Sequence, residues 1–399
     1  FLHDVQDAFY QKFIKAIRDA GYQGPLLGSP WQAPAMLPHL YNLKSDAAVG
    51  YIDRHNYTGG FQNSMLTHPG SGYFSSGLQQ VAGRPFALSE WCSVYPCSYA
   101  AEGPVLVAAY GLGLQGWDAS YEFQSSNNDA KTYNRDVGSL PWDVWTADLP
   151  NQIGQAPVLA RMIDRGDVKE GDVISVRHVS SKNLLDGEFD FTDQVKQQGD
   201  VKTFAGSTPP EALAAGRVLV DFSDTTTPSS FPDMSQFTSG QVITSSTKQL
   251  RWDHSGKGFF TIDTPGTKGA VGFVGGRALD LTDVSMTIDT GYASVLITSL
   301  DPGKVLADCR HALISATARE CNTGFAYASY DMQVLGNGKP PILLEPVKAT
   351  IGFSKRAIAA VQVLDQDGRR TPQALLLTDG TFTIDEASDK TFYYEVVFK

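Results

Sequence analysis

Apolar residues recur at Leu2, Val5, Phe9, Phe13, Ile14 and Ile17, in steps of three and four that draw one stripe along a helix. Gly21 stands where a C-terminal cap belongs. The run Pro25 to Ser29 predicts a strand ending at Pro30-Trp31, and Ala47 to Ile52 a second strand that runs into Asp53-Arg54-His55-Asn56-Tyr57. Phe86 to Ser89 predicts a third, with Pro85 tolerated at its entrance because a first strand position can lack an N–H partner. That strand delivers Glu90 to a loop rich in aromatics and turn formers. Small apolar residues from Ala100 to Leu112 predict a helix, and Leu114 to Asp118 a fourth strand. A helix over 148–163 closes this part, carried by Leu149, Ile153, Val158, Leu159 and Met162.

Strand–helix alternation with polar and aromatic residues at the carboxyl ends of the strands is how a parallel β/α barrel places its site. Four strands are legible where a closed barrel needs eight. From Val168 onward the pattern changes to short alternating segments between Gly, Pro and Asp turns, at 173–176, 217–222, 258–262, 269–273, 284–288, 294–299, 312–318, 349–353, 359–364 and 393–398. These predict an antiparallel β-sandwich. The stretch 182–213 is polar with little periodicity and reads as a long excursion. The predicted class is α/β plus all-β: a partial (half) barrel over 1–165, then a sandwich-type domain over 166–399.

Composition narrows the function. With 399 residues and a formal net charge of −11, the chain lacks the basic excess of a nucleic-acid binder. No window of about 20 apolar residues predicts a membrane span. The chain begins at Phe1 without Met or a signal peptide, which reads as a processed or truncated product, and the loop-rich composition suits a secreted or periplasmic protein. The four cysteines are compatible with the disulfides Cys92–Cys97 and Cys309–Cys321, and also with free buried thiols. The absence of CxxC and HExxH spacings and the scarcity of His predict no metal and no cofactor.

An acidic residue directly after an apolar strand is costly unless it is paired or does chemistry, so Glu90 reads either as one half of an ion pair or as a reactive group. The residues predicted at the strand ends are Ser29 and Trp31; His55, Asn56 and Tyr57; Glu90 and Trp91; Trp117 and Asp118. A carboxylate with a His, a Tyr and several indoles is a set that suits a sugar, because indole faces stack on pyranose rings while polar neighbours take the hydroxyls. Each member also has a plainer reading. His55 can be a satisfied structural histidine, Trp31 a packing residue, and Arg54 the partner of Asp53. Trp142 and Trp145 read as packing residues on the way into the closing helix. Cys92 has no adjacent His or Lys to activate it, and Ser89 is not in a G-x-S-x-G elbow.

The runs Arg84-Pro85-Phe86-Ala87-Leu88-Ser89-Glu90-Trp91, Tyr95-Pro96, Ala101-Glu102, Ala108-Ala109-Tyr110 and Leu114-Gln115-Gly116-Trp117-Asp118 resemble the last two strands of clan A glycoside hydrolases. The resemblance covers about the first 165 residues. It implies a retaining mechanism on a β-glycosidic bond, with Glu90 as nucleophile and Trp117 at the sugar subsite. His55 and Tyr57, in a run similar to the clan's sixth strand, would contact the nucleophile. In the clan an acid/base Glu follows an Asn on the fourth strand, and no Asn-Glu pair occurs in this sequence. Glu102, Asp118, Glu122 and Asp53 are the carboxyls available to replace it, with Asp118 the preferred candidate. The implied partner is an oligo- or polysaccharide, and an open half-barrel would call for a second copy of the chain as cover. The alternatives are a non-catalytic carbohydrate-binding or structural remnant, and an ester hydrolase using the same cleft.

Overall fold

The computed structural model describes residues 1–60, 62–94, 97–124, 149–198, 201–225, 227–328, 334–336 and 338–399. Tyr95, Pro96, Trp142, Trp145 and Asp148 lie outside them. Helix α1 (Leu2–Asp19) forms as its stripe predicts, yet none of its residues is buried: Leu2, Val5, Phe9 and Phe13 remain half exposed or more. It is held to helix α2 (Met36–Val49) by His3 against Ser45 and by the Tyr10 hydroxyl donating to Asp46.

Helix α2 corrects the predicted strand at Ala47–Ile52. Leu40, Leu43 and Ala47 fall at helical spacing and are buried, so the apolar run is the end of a helical face. Gly50 then lets the chain turn back, since a Cβ there would lie 2.1 Å from the Leu26 carbonyl oxygen. Strand β1 (Ile52–His55) begins only after it. The predicted strand at Pro25–Ser29 is reduced to one parallel bridge, Leu27 to Tyr51. Strand β2 (Phe86–Trp91) pairs in parallel with β1 on one side and with β3 (Ala119–Glu122) on the other. The predicted strand over Leu114–Asp118 thus starts later, because Leu114 ends a π-helical turn and Trp117 folds inward.

The sandwich has two antiparallel sheets. The larger has ten strands, from Thr238–Ser239 at one edge to Arg370–Ala374 at the other; the smaller has four, Arg277–Leu281, Val284–Ile288, Lys348–Phe353 and Thr381–Asp385. Both faces of the large sheet are covered. Phe260, Val271, Leu296 and Leu313 pack toward Tyr110, Val158 and Met162 of the N-terminal region. Their alternate neighbours Phe259, Ala270, Val295 and Ile314 pack toward Met286, Ile351 and Phe382 of the small sheet. One apolar core therefore runs through residue 165 without a break. The strands predicted at 173–176 and 217–222 are not part of the sandwich: Val173–Val179 and Arg217–Phe222 pair in parallel with each other, and Val220 bridges to Val81. The polar stretch at 182–213 holds a helix, Ser181–Asp186, and a hairpin, Asp193–Gln198 with Val201–Gly206.

Cys97, Cys309 and Cys321 are free thiols, so neither disulfide offered by the sequence forms. Among the described residues no helix is long and apolar enough to cross a membrane.

Beneath the parallel strands lies a fully buried cation. Arg54 pairs with Asp46 rather than with its neighbour Asp53: Nη1 donates to Asp46 Oδ2 at 3.0 Å, to the Ser29 carbonyl at 3.0 Å and to the Asp53 carbonyl at 2.6 Å, while Nε donates to Gln79. Burial pushes the Asp46 carboxyl up and Arg54 down, each partly offset by the other. Removing one partner leaves a buried charge uncompensated. Asp46→Ala is expected to lower unfolding free energy by about 3–5 kcal/mol in denaturant titration. The exposed Lys15–Asp19 pair, cut the same way, is expected to cost under about 1 kcal/mol.

Candidate functional site

The site gathers at the carboxyl ends of β1 and β2. Arg54 pairs with Leu88 but His55 with Glu90, and on the far side Leu88 pairs with Ser120 while Trp91 pairs with Glu122. β2 therefore carries one residue more than either neighbour between Leu88 and Trp91, a bulge. Ser89 and Glu90, consecutive in sequence, both reach the side occupied by Asp53 and His55, and Trp91 returns to the core.

A chain of polar contacts results. Asp53 Oδ2 accepts from the Ser89 hydroxyl at 2.6 Å, and Ser89 Oγ lies 3.0 Å from His55 Nε2. His55 Nδ1 lies 3.2 Å from Glu90 Oε2, which accepts from the Tyr57 hydroxyl at 2.6 Å. Glu90 keeps 31% of its side chain exposed, whereas Asp53 keeps 4%. Trp31 stands at the rim, 41% exposed, with its ring 5.7 Å from the His55 ring and at 64° to it. Lys202, from the hairpin, lies with Nζ 4.4 Å from the Trp31 ring centroid and donates to the His55 carbonyl.

The structure thus brings together Glu90, His55, Tyr57 and Trp31. Four other expectations are corrected. Asn56 is fully buried: its amide donates to the Gly72 carbonyl, and its oxygen accepts the backbone N–H groups of Tyr57 and Lys202, so it is a structural clamp. Trp91 is 4% exposed and packs on Tyr73, its indole N–H donating to Ser120. Trp117 is equally buried between Phe74 and Phe86 and donates to Gln80. Gly111 makes room for it, since a Cβ there would meet the Trp117 ring at 2.5 Å. Asp118 accepts the Phe86 N–H at the amino end of β2, four residues or about 13 Å along the strand from Glu90.

Of the other carboxyls, Glu122 ends β3 opposite Trp91, at the same end as Glu90. Glu102 is buried, accepting from the Ser64 hydroxyl at 2.8 Å and the Met65 N–H at 2.7 Å. Two donors would favour its ionised form, but desolvation outweighs them and pushes the carboxyl up to about 8. Among the described residues no group of three or more His, Cys, Asp or Glu is placed to hold a metal ion.

Sequence reasoning passed over Ser89 and Lys202. Ser89 sits inside the Glu90 run, where the only motif that would mark it, a nucleophile elbow, is absent. Lys202 lies in a stretch with no periodicity and carries no local signal.

Glu102 generates a pH dependence. Its folded value lies above the ordinary value of 4.5, so the folded chain binds the extra proton and stability falls as pH rises from about 4.5 to 8. Glu320, also raised to about 8 by burial, acts in the same direction. Glu102→Gln is expected to flatten the fall by up to about 1.4 kcal/mol per pH unit within that window, as read by denaturant unfolding at several pH values.

Comparison of the chain with protein-family models, with curated proteins and with solved structures finds no significant match.

Proposed function

We propose that this chain carries the nucleophile side of a retaining β-glycosidase site on a half (β/α) barrel, acting on an oligo- or polysaccharide. The observation that carries this reading is Glu90. It is a partly exposed carboxylate at the carboxyl end of the middle parallel strand, with one oxygen accepting from Tyr57 at 2.6 Å and lying 3.2 Å from His55 Nδ1. A carboxylate fixed by one hydroxyl, flanked by an imidazole and open on its remaining side suits attack on an anomeric carbon. Trp31 offers a sugar-stacking surface at the rim, with Lys202 over the ring. The three consecutive parallel strands and the bridge at Leu27 support the half-barrel reading. A retaining reaction needs a second carboxyl about 5 Å from the first. Glu122 and Asp53 stand at the correct end of the strands, and Asp53 is committed to Ser89.

The apolar stripe left exposed on α1 supports a second copy of the chain as cover. Light scattering at micromolar concentration is then expected to return a dimer mass, and a monomer mass removes that part of the reading.

Aryl glycosides test the chemistry, because a p-nitrophenolate leaving group needs little protonation. Turnover of one sugar is expected, falling about a thousandfold or more in Glu90→Gln. Tyr57→Phe, which removes one hydrogen bond to a charged group, is expected to cost about 10- to 100-fold. Turnover that survives Glu90→Gln would overturn the assignment. Binding of sugar without turnover by a folded sample would favour the non-catalytic carbohydrate-binding reading.

A further inference from the structure

The Ser89 hydroxyl carries one proton, and two acceptors flank it. Asp53 Oδ2, at 2.6 Å, is a carboxylate oxygen that only accepts, so the proton points there. Asp53 Oδ1 fixes the same geometry by accepting the Ser89 backbone N–H at 3.1 Å. Ser89 Oγ must then accept from His55, and Nε2 at 3.0 Å is the donor. On the other side of the ring Nδ1 faces Glu90 Oε2 at 3.2 Å. A neutral ring with its proton on Nε2 would turn a lone pair toward that carboxylate. Nδ1 makes no hydrogen bond to it but stands at ion-pair distance, a contact that an imidazolium favours and a lone pair opposes.

We infer that Asp53 and Ser89 are positioning residues that fix a proton on His55 Nε2 and so decide what Nδ1 presents to Glu90. The role of Glu90 rests on the glycosidase reading above, but the state of His55 does not. The groups facing His55 are Asp53 on its own strand, Ser89 and Glu90 on β2, the Trp31 ring edge, and the Lys202 ammonium on its carbonyl; Tyr57 acts on it through Glu90. With His55 protonated, two cations stand against two carboxylates, and the cluster balances in a largely buried setting where an excess charge is costly. Above the pH at which the ring deprotonates, it keeps the Nε2 proton and Glu90 loses a facing positive charge.

Asp53→Asn reverses the chain of donors. The Asn oxygen still accepts the Ser89 N–H, and the Asn amide now donates to Ser89 Oγ. The hydroxyl turns to donate to Nε2, and a neutral ring places its proton on Nδ1, toward Glu90. Two-bond ¹H–¹⁵N correlation of the imidazoles in the full chain, with His55 assigned by the signal missing in His55→Gln, reads this directly. Wild type is expected to keep Nε2 protonated throughout the titration, so that the neutral ring is the Nε2–H tautomer. Asp53→Asn is expected to show the neutral Nδ1–H tautomer. A wild-type ring that deprotonates to Nδ1–H overturns the inference, and that measurement decides even if the variant does not fold. A folded Asp53→Asn that keeps the wild-type tautomer also overturns it.

With an aryl glycoside as probe, kcat/KM of the wild type is expected to fall on the basic side, and that fall to move to higher pH in Asp53→Asn. Absence of turnover would count against the glycosidase reading and leave the tautomer measurement standing. Hydrolysis of p-nitrophenyl acetate that disappears in Ser89→Ala would make Ser89 a nucleophile and overturn the positioning role.

Discussion

One extra residue in β2 is the constraint on which the site depends. A regular strand alternates its side chains, so Ser89 and Glu90 would point to opposite faces. The bulge between Leu88 and Trp91 puts both on the face shared by Asp53 and His55, and turns Trp91 back to the core beside Tyr73. Without that offset, either Glu90 or Ser89 would lose contact with His55. The parallel pairing to β1 and β3 keeps the offset in place, because both neighbours are in register on either side of it.

The centre of the site was legible in the sequence and its periphery was not. Glu90 after an apolar run, and the His-x-Tyr spacing of His55 and Tyr57, are local features, and each residue lies where the strand ends put it. Asn56, Trp91, Trp117 and Asp118 were assigned by their rank along predicted strands. Their true facing depends on the bulge in β2 and on the π-helical turn before Gly116, neither of which has a one-dimensional signature. In the same way, alternation located Val284–Ile288 and Tyr393–Phe398 to the residue, because a half-buried antiparallel strand writes its pattern locally. It could not tell that Val173–Val179 and Arg217–Phe222 pair with each other, since partner choice is a property of the whole fold.

The buried Arg54 explains why the site has a firm base. Its guanidinium joins α2 through Asp46, the segment after the Leu27 bridge through the Ser29 carbonyl, and the 3-10 turn at 72–79 through Gln79. Three parts of the chain meet on one cation directly behind Asp53 and His55. The rim above is held from elsewhere: Trp31 and the His55 carbonyl both touch Lys202, and Asn56 takes the backbone of the same residue.

That last tie sets when in folding the candidate site takes shape. Lys202 lies 147 residues beyond His55 and 146 beyond Asn56, so the site closes only through long-range contacts. The parallel strands and their helices can pair while the chain is still growing, but closing so long a loop is slow and entropically costly. The cleft is therefore among the last features to assume its final shape. A growing chain that has not yet reached the hairpin would have the strands and lack the finished site.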